Sequence, residues 1–317
     1  MLKDTLLNAC DTIFNSSNDA TSTSNSLGKL FNGLYTSSLP MPPEFSLIRV
    51  VGGDCVTPYG AALCMEQTER TIQFLRGLKS AIEHLRFTLK RKVNVLYAGS
   101  GPFATLALPM TSMFDPEEVN FSVIDIYEYS IRNVRHLVSL LEIEDYFKDY
   151  ILGDATTYNP KNPPDILITE TMNAGLLDEA QVAITAQLAK HLPVHGILIP
   201  EEVFLGIRLS RLYPPKKSDV ESIDTGTFYS LSRNTQLVPP YVIKGVIPVP
   251  KKLKEGCIYG ITLTTRLNIF GGHTLGPNSS EITDDIRLNP VVSGGQREIQ
   301  IQYDSGSRKE DIKIEIT

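Results

Sequence analysis

The strongest constraint on this chain is a strand that runs without a break into a glycine turn. Val93-Asn94-Val95-Leu96-Tyr97-Ala98 reads as a buried strand, and Gly99-Ser100-Gly101-Pro102-Phe103 follows directly. The apolar stretch from Ala104 to Met110 then reads as a helix. Strand, glycine turn and helix in that order open an α/β sheet that holds a nucleotide-like ligand, and the glycines let backbone approach it closely. A second strand, Val119 to Ile124, ends in Asp125, 26 residues after Gly99. A carboxylate at that strand tip is placed to accept both hydroxyls of a ribose. Ile131, Val134, Val138 and Leu141 mark the next helix, and a short third strand near Tyr150-Ile151-Leu152 leads into Gly153-Asp154. Asp154 can accept from an adenine amino group or simply form a turn.

The fourth strand, Asp165 to Ile168, delivers Thr169-Glu170-Thr171-Met172-Asn173-Ala174-Gly175-Leu176-Leu177-Asp178-Glu179. A helix is expected from Asp178 to Lys190, then a fifth strand, His195 to Pro200. Ligands of open α/β sheets collect beyond the carboxyl ends of strands, which is where Glu170 and Glu179 fall, nine positions apart. Two carboxylates there suit a cation, and a guanidinium best, because its fork of donors matches carboxylate geometry. The plainer readings are a helix N-terminal charge for Glu179 and a strand-end acid paired with Arg70 for Glu170.

Upstream, Ile72, Leu75, Leu78, Ile82 and Leu85 form one stripe of a helix from Glu66 to Phe87, with Arg70 off the stripe, where a solvated charge is the simplest reading. Residues 1–45 read as a flexible leader: a short helix lined by Leu2, Leu6, Leu7 and Ile13, a polar mobile stretch from Asn15 to Ser26, and a stiff Pro40-Met41-Pro42-Pro43 connector. From Glu202 the period changes to two: Val203, Leu205, Ile207 and Leu209, then Tyr259, Ile261 and Leu263, Ile299 and Ile301, and Ile312, Ile314 and Ile316. The expected architecture is a leader (1–45), a helical cap with a Rossmann-like α/β domain (46–200), and an all-β, barrel-like domain (201–317) with a polar insertion at 213–240.

Composition narrows the function. Thirty basic against 36 acidic residues give a net charge of −6, which argues against direct nucleic-acid binding by phosphate neutralisation. The four cysteines lack paired metal-ligand spacing. With no apolar run long enough for a membrane span and no signal-peptide pattern, a cytoplasmic protein with no membrane partner is expected.

The ordered set of glycine turn, strand-tip acid and Gly-Asp resembles a class I S-adenosylmethionine-dependent methyltransferase. A closer resemblance is to the protein arginine methyltransferases. It rests on Arg70-Thr71-Ile72-Gln73-Phe74 in the leading helix, Gly99-Ser100-Gly101, the Glu170 to Glu179 loop, and Gly196-Ile197-Leu198-Ile199-Pro200 before an all-β second half. The resemblance implies S-adenosylmethionine as cofactor. Arg70 would pair with its carboxylate, Gly99 and Gly101 would approach its methionine part, and Asp125 would hold its ribose. Glu170 and Glu179 would clamp a substrate guanidinium, on a protein or a small molecule. The insertion at 213–240 would serve dimerisation, in a homodimer or in a complex with a homologous subunit.

This chain departs from that pattern at several places. Phe103 and Tyr97 stand where the family has a glycine and an acid, and both are expected to put bulk near the cofactor. Cys64 replaces a frequent methionine. The chain has no tryptophan for the Thr-His-Trp loop that walls the arginine pocket, and His273-Thr274 is the nearest substitute. These departures suggest two alternatives: a methyltransferase for a small guanidino, amino or hydroxyl compound, and a catalytically silent homologue that regulates an active partner.

Overall fold

The computed structural model describes residues 1–15, 20–213 and 222–317. In chain order the elements are α1 (Leu2–Asn15), α2 (Ala20–Ser37), β1 (Ile48–Val50), β2 (Gly53–Cys55), α3 (Pro58–Leu63), α4 (Thr68–Leu89), β3 (Val93–Ala98), β4 (Val119–Asp125) and α5 (Glu128–Leu141). There follow β5 (Phe147–Leu152), β6 (Ile166–Thr169), α6 (Gln181–Leu188), β7 (Ile197–Ile199), β8 (Glu202–Tyr213), β9 (Ser222–Ser232), β10 (Val242–Pro248), β11 (Ile258–Phe270), β12 (His273–Leu275), β13 (Ile286–Ser293), β14 (Glu298–Asp304) and β15 (Lys313–Ile316).

The first sheet runs in the order β5-β4-β3-β6-β7, and each neighbouring pair is parallel. The chain lays strands outward from β3 in one direction and then returns to lay β6 and β7 on the other side. Strand order therefore reverses at β3, and the crevice at such a switch point is where open α/β sheets take ligands. Ala98 sits between Ile124 and Thr169 in register. Gly99, Asp125 and Glu170 consequently leave three adjacent strand ends together. The expected Rossmann-like α/β class is what the chain adopts.

Three local expectations are corrected. Residues after the glycine turn form no α-helix: Ala104 takes a positive φ of 43°, and only a 3-10 turn at Leu108–Ser112 follows. The chain fills that face with α1 and α2 instead. Leu6, Ile13, Leu27, Leu30 and Leu34 are buried in the main core, Cys10 donates its thiol hydrogen to the Pro109 carbonyl at 3.5 Å, and Arg76 donates to the Ile13 carbonyl at 2.9 Å. The leader is thus packed helix rather than a flexible tether, although residues 16–19 of its expected mobile stretch lie outside the described residues. The expected helix start at Asp178 also fails. Asp178 has a φ of 59°, and α6 opens at Gln181.

The second half is antiparallel. β9, β8 and β11 pair in that order, with β12 and β13 taking successive parts of the far edge of β11, and β10-β14-β15 form a second sheet. Alternating Val203, Leu205, Ile207 and Leu209 turn inward with Tyr259, Ile261, Leu263, Ile299, Ile301 and Tyr303. The expected insertion at 213–240 contains a strand of this domain. β9 pairs with β8 from Glu202↔Ser232 to Ser210↔Ser222. What joins the two strands, 214–221, lies outside the described residues.

The two halves are tightly joined. A Cβ on Gly77 of α4 would lie 2.5 Å from Ile269 Cγ2 of β11, so helix and strand meet there at backbone distance. The β-domain also grips the loop after β6. Thr265 Oγ1 accepts from Gly175 N at 2.8 Å, Tyr303 donates its hydroxyl to the Gly175 carbonyl at 2.7 Å, and Gly306 N donates to the Leu176 carbonyl at 3.0 Å.

Candidate active site

A cavity of about 330 Å³ opens at the carboxyl ends of β3, β4 and β6. All seven residues singled out from the sequence line it: Arg70, Gly99, Gly101, Asp125, Asp154, Glu170 and Glu179.

On the nucleotide side the glycines are needed for space as well as for conformation. Gly99 has a φ of 72°, and a Cβ there would lie 2.4 Å from Thr171 Cγ2. Gly101, at a φ of 61°, donates its amide to Asp125 Oδ2 at 2.9 Å, while Oδ1 accepts from Tyr127 N at 2.9 Å. Both oxygens are thereby aimed by backbone. Burial pushes the Asp125 carboxyl up to about 6, against the downward pull of those bonds. Asp154 combines its two readings. Its Oδ1 accepts from Thr156 N and Oγ1, each at 2.7 Å, as a turn-former does, and the residue still lines the cavity.

Arg70 is not the solvated charge that its place off the helix stripe suggests. It is 9% exposed and forms an ion pair with Glu170 Oε2. Glu170 Oε1 is buried and has no hydrogen-bond partner among the described residues. Glu179 arrives by a different route. β2 runs alongside it through an Asp54↔Glu179 bridge, with Asp54 N donating to the Asp178 carbonyl at 2.6 Å. Only glycine fits at position 53, where a Cβ would lie 2.4 Å from the Glu179 carbonyl carbon. The Glu179 carboxylate makes no hydrogen bond or ion pair among the described residues. Burial pushes it up to about 7, with Asp178 adding to the rise and Arg70 opposing it.

Sequence reasoning missed Gln181. This residue, 1% exposed, accepts from Thr171 N and Oγ1 at 3.0 Å and donates Nε2 to the Thr169 carbonyl at 3.3 Å, fixing the start of the loop. An amide side chain in the first turn of the expected apolar helix was the available signal.

The departures fall unevenly. Phe103 turns away from the cavity and packs edge-on against Phe31 of α2, 5.9 Å between centroids, so its bulk serves the helical hairpin. Tyr97 does line the cavity, its phenol pushed well up by burial. Cys64 lines it too. His273 does not: its Nε2 lies 3.5 Å from Ser80 Oγ on α4. The β-domain contributes Glu281 and Ile282 to the wall instead. No group of His, Cys, Asp and Glu suited to a metal occurs among the described residues.

No protein-family model matches the sequence, and no curated protein is similar to it in sequence. Solved structures are similar in fold. The Trypanosoma brucei PRMT1 enzyme–prozyme heterotetrameric complex with AdoHcy matches at a TM-score of 0.52 and 11% identity, over 80% of this chain and 95% of that one. Arabidopsis thaliana protein arginine methyltransferase 10, in an open conformation, matches at 0.54 and 11%, over 78% of this chain and 88% of that one. The chain has the protein arginine methyltransferase fold.

Proposed function

We propose that the chain is an S-adenosylmethionine-dependent methyltransferase that methylates a guanidinium held between Glu170 and Glu179. The observation that carries this reading is the unpaired Oε1 of Glu170, buried in a cavity beside a second carboxylate without a partner. Leaving a buried carboxylate oxygen unbonded costs on the order of 1–3 kcal/mol, so a site built this way calls for a ligand with N–H donors. A guanidinium supplies those donors together with the positive charge.

The cofactor residues fit the group. Asp125 offers two aimed carboxylate oxygens for ribose hydroxyls, Gly99 and Gly101 open the strand end, and Arg70 supplies the cation that an amino-acid carboxylate needs. S-Adenosylmethionine supplies an activated methyl on a sulfonium. Glu170 and Glu179 hold the acceptor and draw its positive charge toward them, away from the attacking nitrogen, whose lone pair is otherwise delocalised. Alignment of that nitrogen is most of the task. Glu179, its carboxyl raised by burial to about 7, would accept the proton that the methylated nitrogen sheds.

A homodimer, or a complex with a homologous subunit, belongs to the same proposal, since the trypanosomal structure of similar fold is an enzyme–prozyme heterotetrameric complex. No helix among the described residues is long and apolar enough to cross a membrane. Calorimetry tests the cofactor half: S-adenosylmethionine binds the wild type, and Asp125→Asn weakens it about tenfold. An absence of binding to the wild type overturns the catalytic reading and favours a silent, regulatory homologue.

A further inference from the structure

We infer that Glu281 is a specificity residue that selects acceptors carrying a second positive charge beyond the guanidinium. The inference rests on the guanidinium reading above and adds the rest of the acceptor to it.

Glu281 belongs to the β-domain and reaches the cavity on a braced turn. Thr283 is buried, its Oγ1 accepting from Ser280 N at 3.1 Å, and Asn278 N donates to the Thr283 carbonyl at 2.8 Å. Ile282 is 1% exposed and anchors the turn in the core. Glu281 is left as the turn's exposed side chain at the cavity rim. Its Oε1 accepts from Gln67 Nε2 at 2.8 Å, which ties the β-domain to the residue that opens α4.

Gln67 precedes Arg70 by three positions, and side chains so spaced at a helix start lie roughly 5–6 Å apart at Cβ. Glu281 thus lines the same cavity as the Arg70–Glu170 pair, held to the residue that caps the helix carrying Arg70. A neutral hydrogen bond from Gln67 orients the carboxylate and leaves its charge uncompensated. A guanidinium seated against the unpaired Oε1 of Glu170 would place a cation several bonds further along its chain beside Glu281. That second cation is an ammonium, whether the α-ammonium of a free amino acid or a basic side chain next to the target in a peptide.

The test compares 4-aminobutylguanidine with butylguanidine as acceptors for the full-length protein, since the two differ only in the terminal ammonium. Exposed ion pairs are weak, so the expected preference in KM is about three- to five-fold for the dication. Glu281→Gln should bring the KM ratio close to one, and raised salt should shrink it in the wild type. Equal KM values in the wild type, or a ratio that persists in Glu281→Gln, overturn the inference while leaving the guanidinium reading intact. If neither compound is methylated and neither binds in calorimetry with S-adenosylhomocysteine present, the guanidinium reading falls and this inference with it. Arginine and an N-acetylated Arg-Lys dipeptide, run in the same way, separate the two sources of the ammonium.

Discussion

The two ends of β6 carry carboxylates in opposite conditions. Asp165, at the amino end, is 1% exposed and fully bonded: two Arg91 nitrogens at 2.7 Å, Asn94 N at 2.9 Å, Asn94 Nδ2 at 3.1 Å and His195 Nε2 at 3.0 Å. Burial alone would raise its pKa, but the bonds from Arg91, Asn94 and His195 together outweigh it and hold the carboxyl at about 2. Glu170, at the carboxyl end, has Arg70 alone and one empty oxygen, and nearby Glu179 is pushed up to about 7. One acid has spent its bonding capacity inside the fold, and the other two keep theirs for something else. Burial by itself does not separate the two roles, whereas the count of satisfied lone pairs does.

Substitutions can break this contrast. Asp165→Ala strips a buried acid from Arg91, Asn94 and His195 and is expected to cost about 3–5 kcal/mol of stability, read as a lowered denaturation midpoint, with the cofactor affinity of the folded protein unchanged. Glu170→Gln should do the reverse. Turnover falls on the order of 10²- to 10³-fold in kcat, while stability changes less than in Asp165→Ala, because Glu179 remains beside Arg70. Gly99→Ala, with a Cβ 2.4 Å from Thr171 Cγ2 at a φ of 72°, should weaken S-adenosylmethionine binding in calorimetry by about tenfold or more.

The response to pH sharpens the same contrast. Asp165 has a depressed pKa, so its stabilisation is present above its unfolded value of 3.8 and is lost as pH falls toward 2. Glu179 has a raised pKa, so its contribution runs the other way: the unliganded fold loses stability as pH rises from 4.5 toward 7. A cationic acceptor prefers the ionised form, so its affinity should rise by about tenfold between pH 6 and pH 8 in a binding titration. A flat profile across that range would count against Glu179 as a ligand.

The sheet and its crevice were legible because β3, β4, β6 and β7 are mostly apolar and the tips of β3, β4 and β6 carry distinctive residues. Glu170 and Asp125 could be placed at strand ends from spacing alone. The hairpin of α1 and α2 was hidden by composition. Thr21 to Ser26 is poor in strong helix formers, and the helix is held by tertiary burial of Leu27, Leu30 and Leu34, whose spacing of three and four was the remaining trace. β9 escaped notice because only Ile223 and Leu231 of its residues are buried, which leaves little alternation to read. Side-chain direction was not legible at all. Phe103 reads as an obstruction in the glycine turn until its ring is seen against Phe31, and the carboxylate of Glu281 comes to the cavity through a turn far along the chain.

The most direct test of the central claim is transfer of a labelled methyl group from S-adenosylmethionine to a guanidino acceptor, with the labelled atom located by mass spectrometry. The expected result is label on a guanidinium nitrogen with the wild type and its loss with Glu170→Gln. Cofactor binding without transfer to any guanidino compound, or label on another functional group, would contradict the assignment of Glu170 and Glu179 as the clamp.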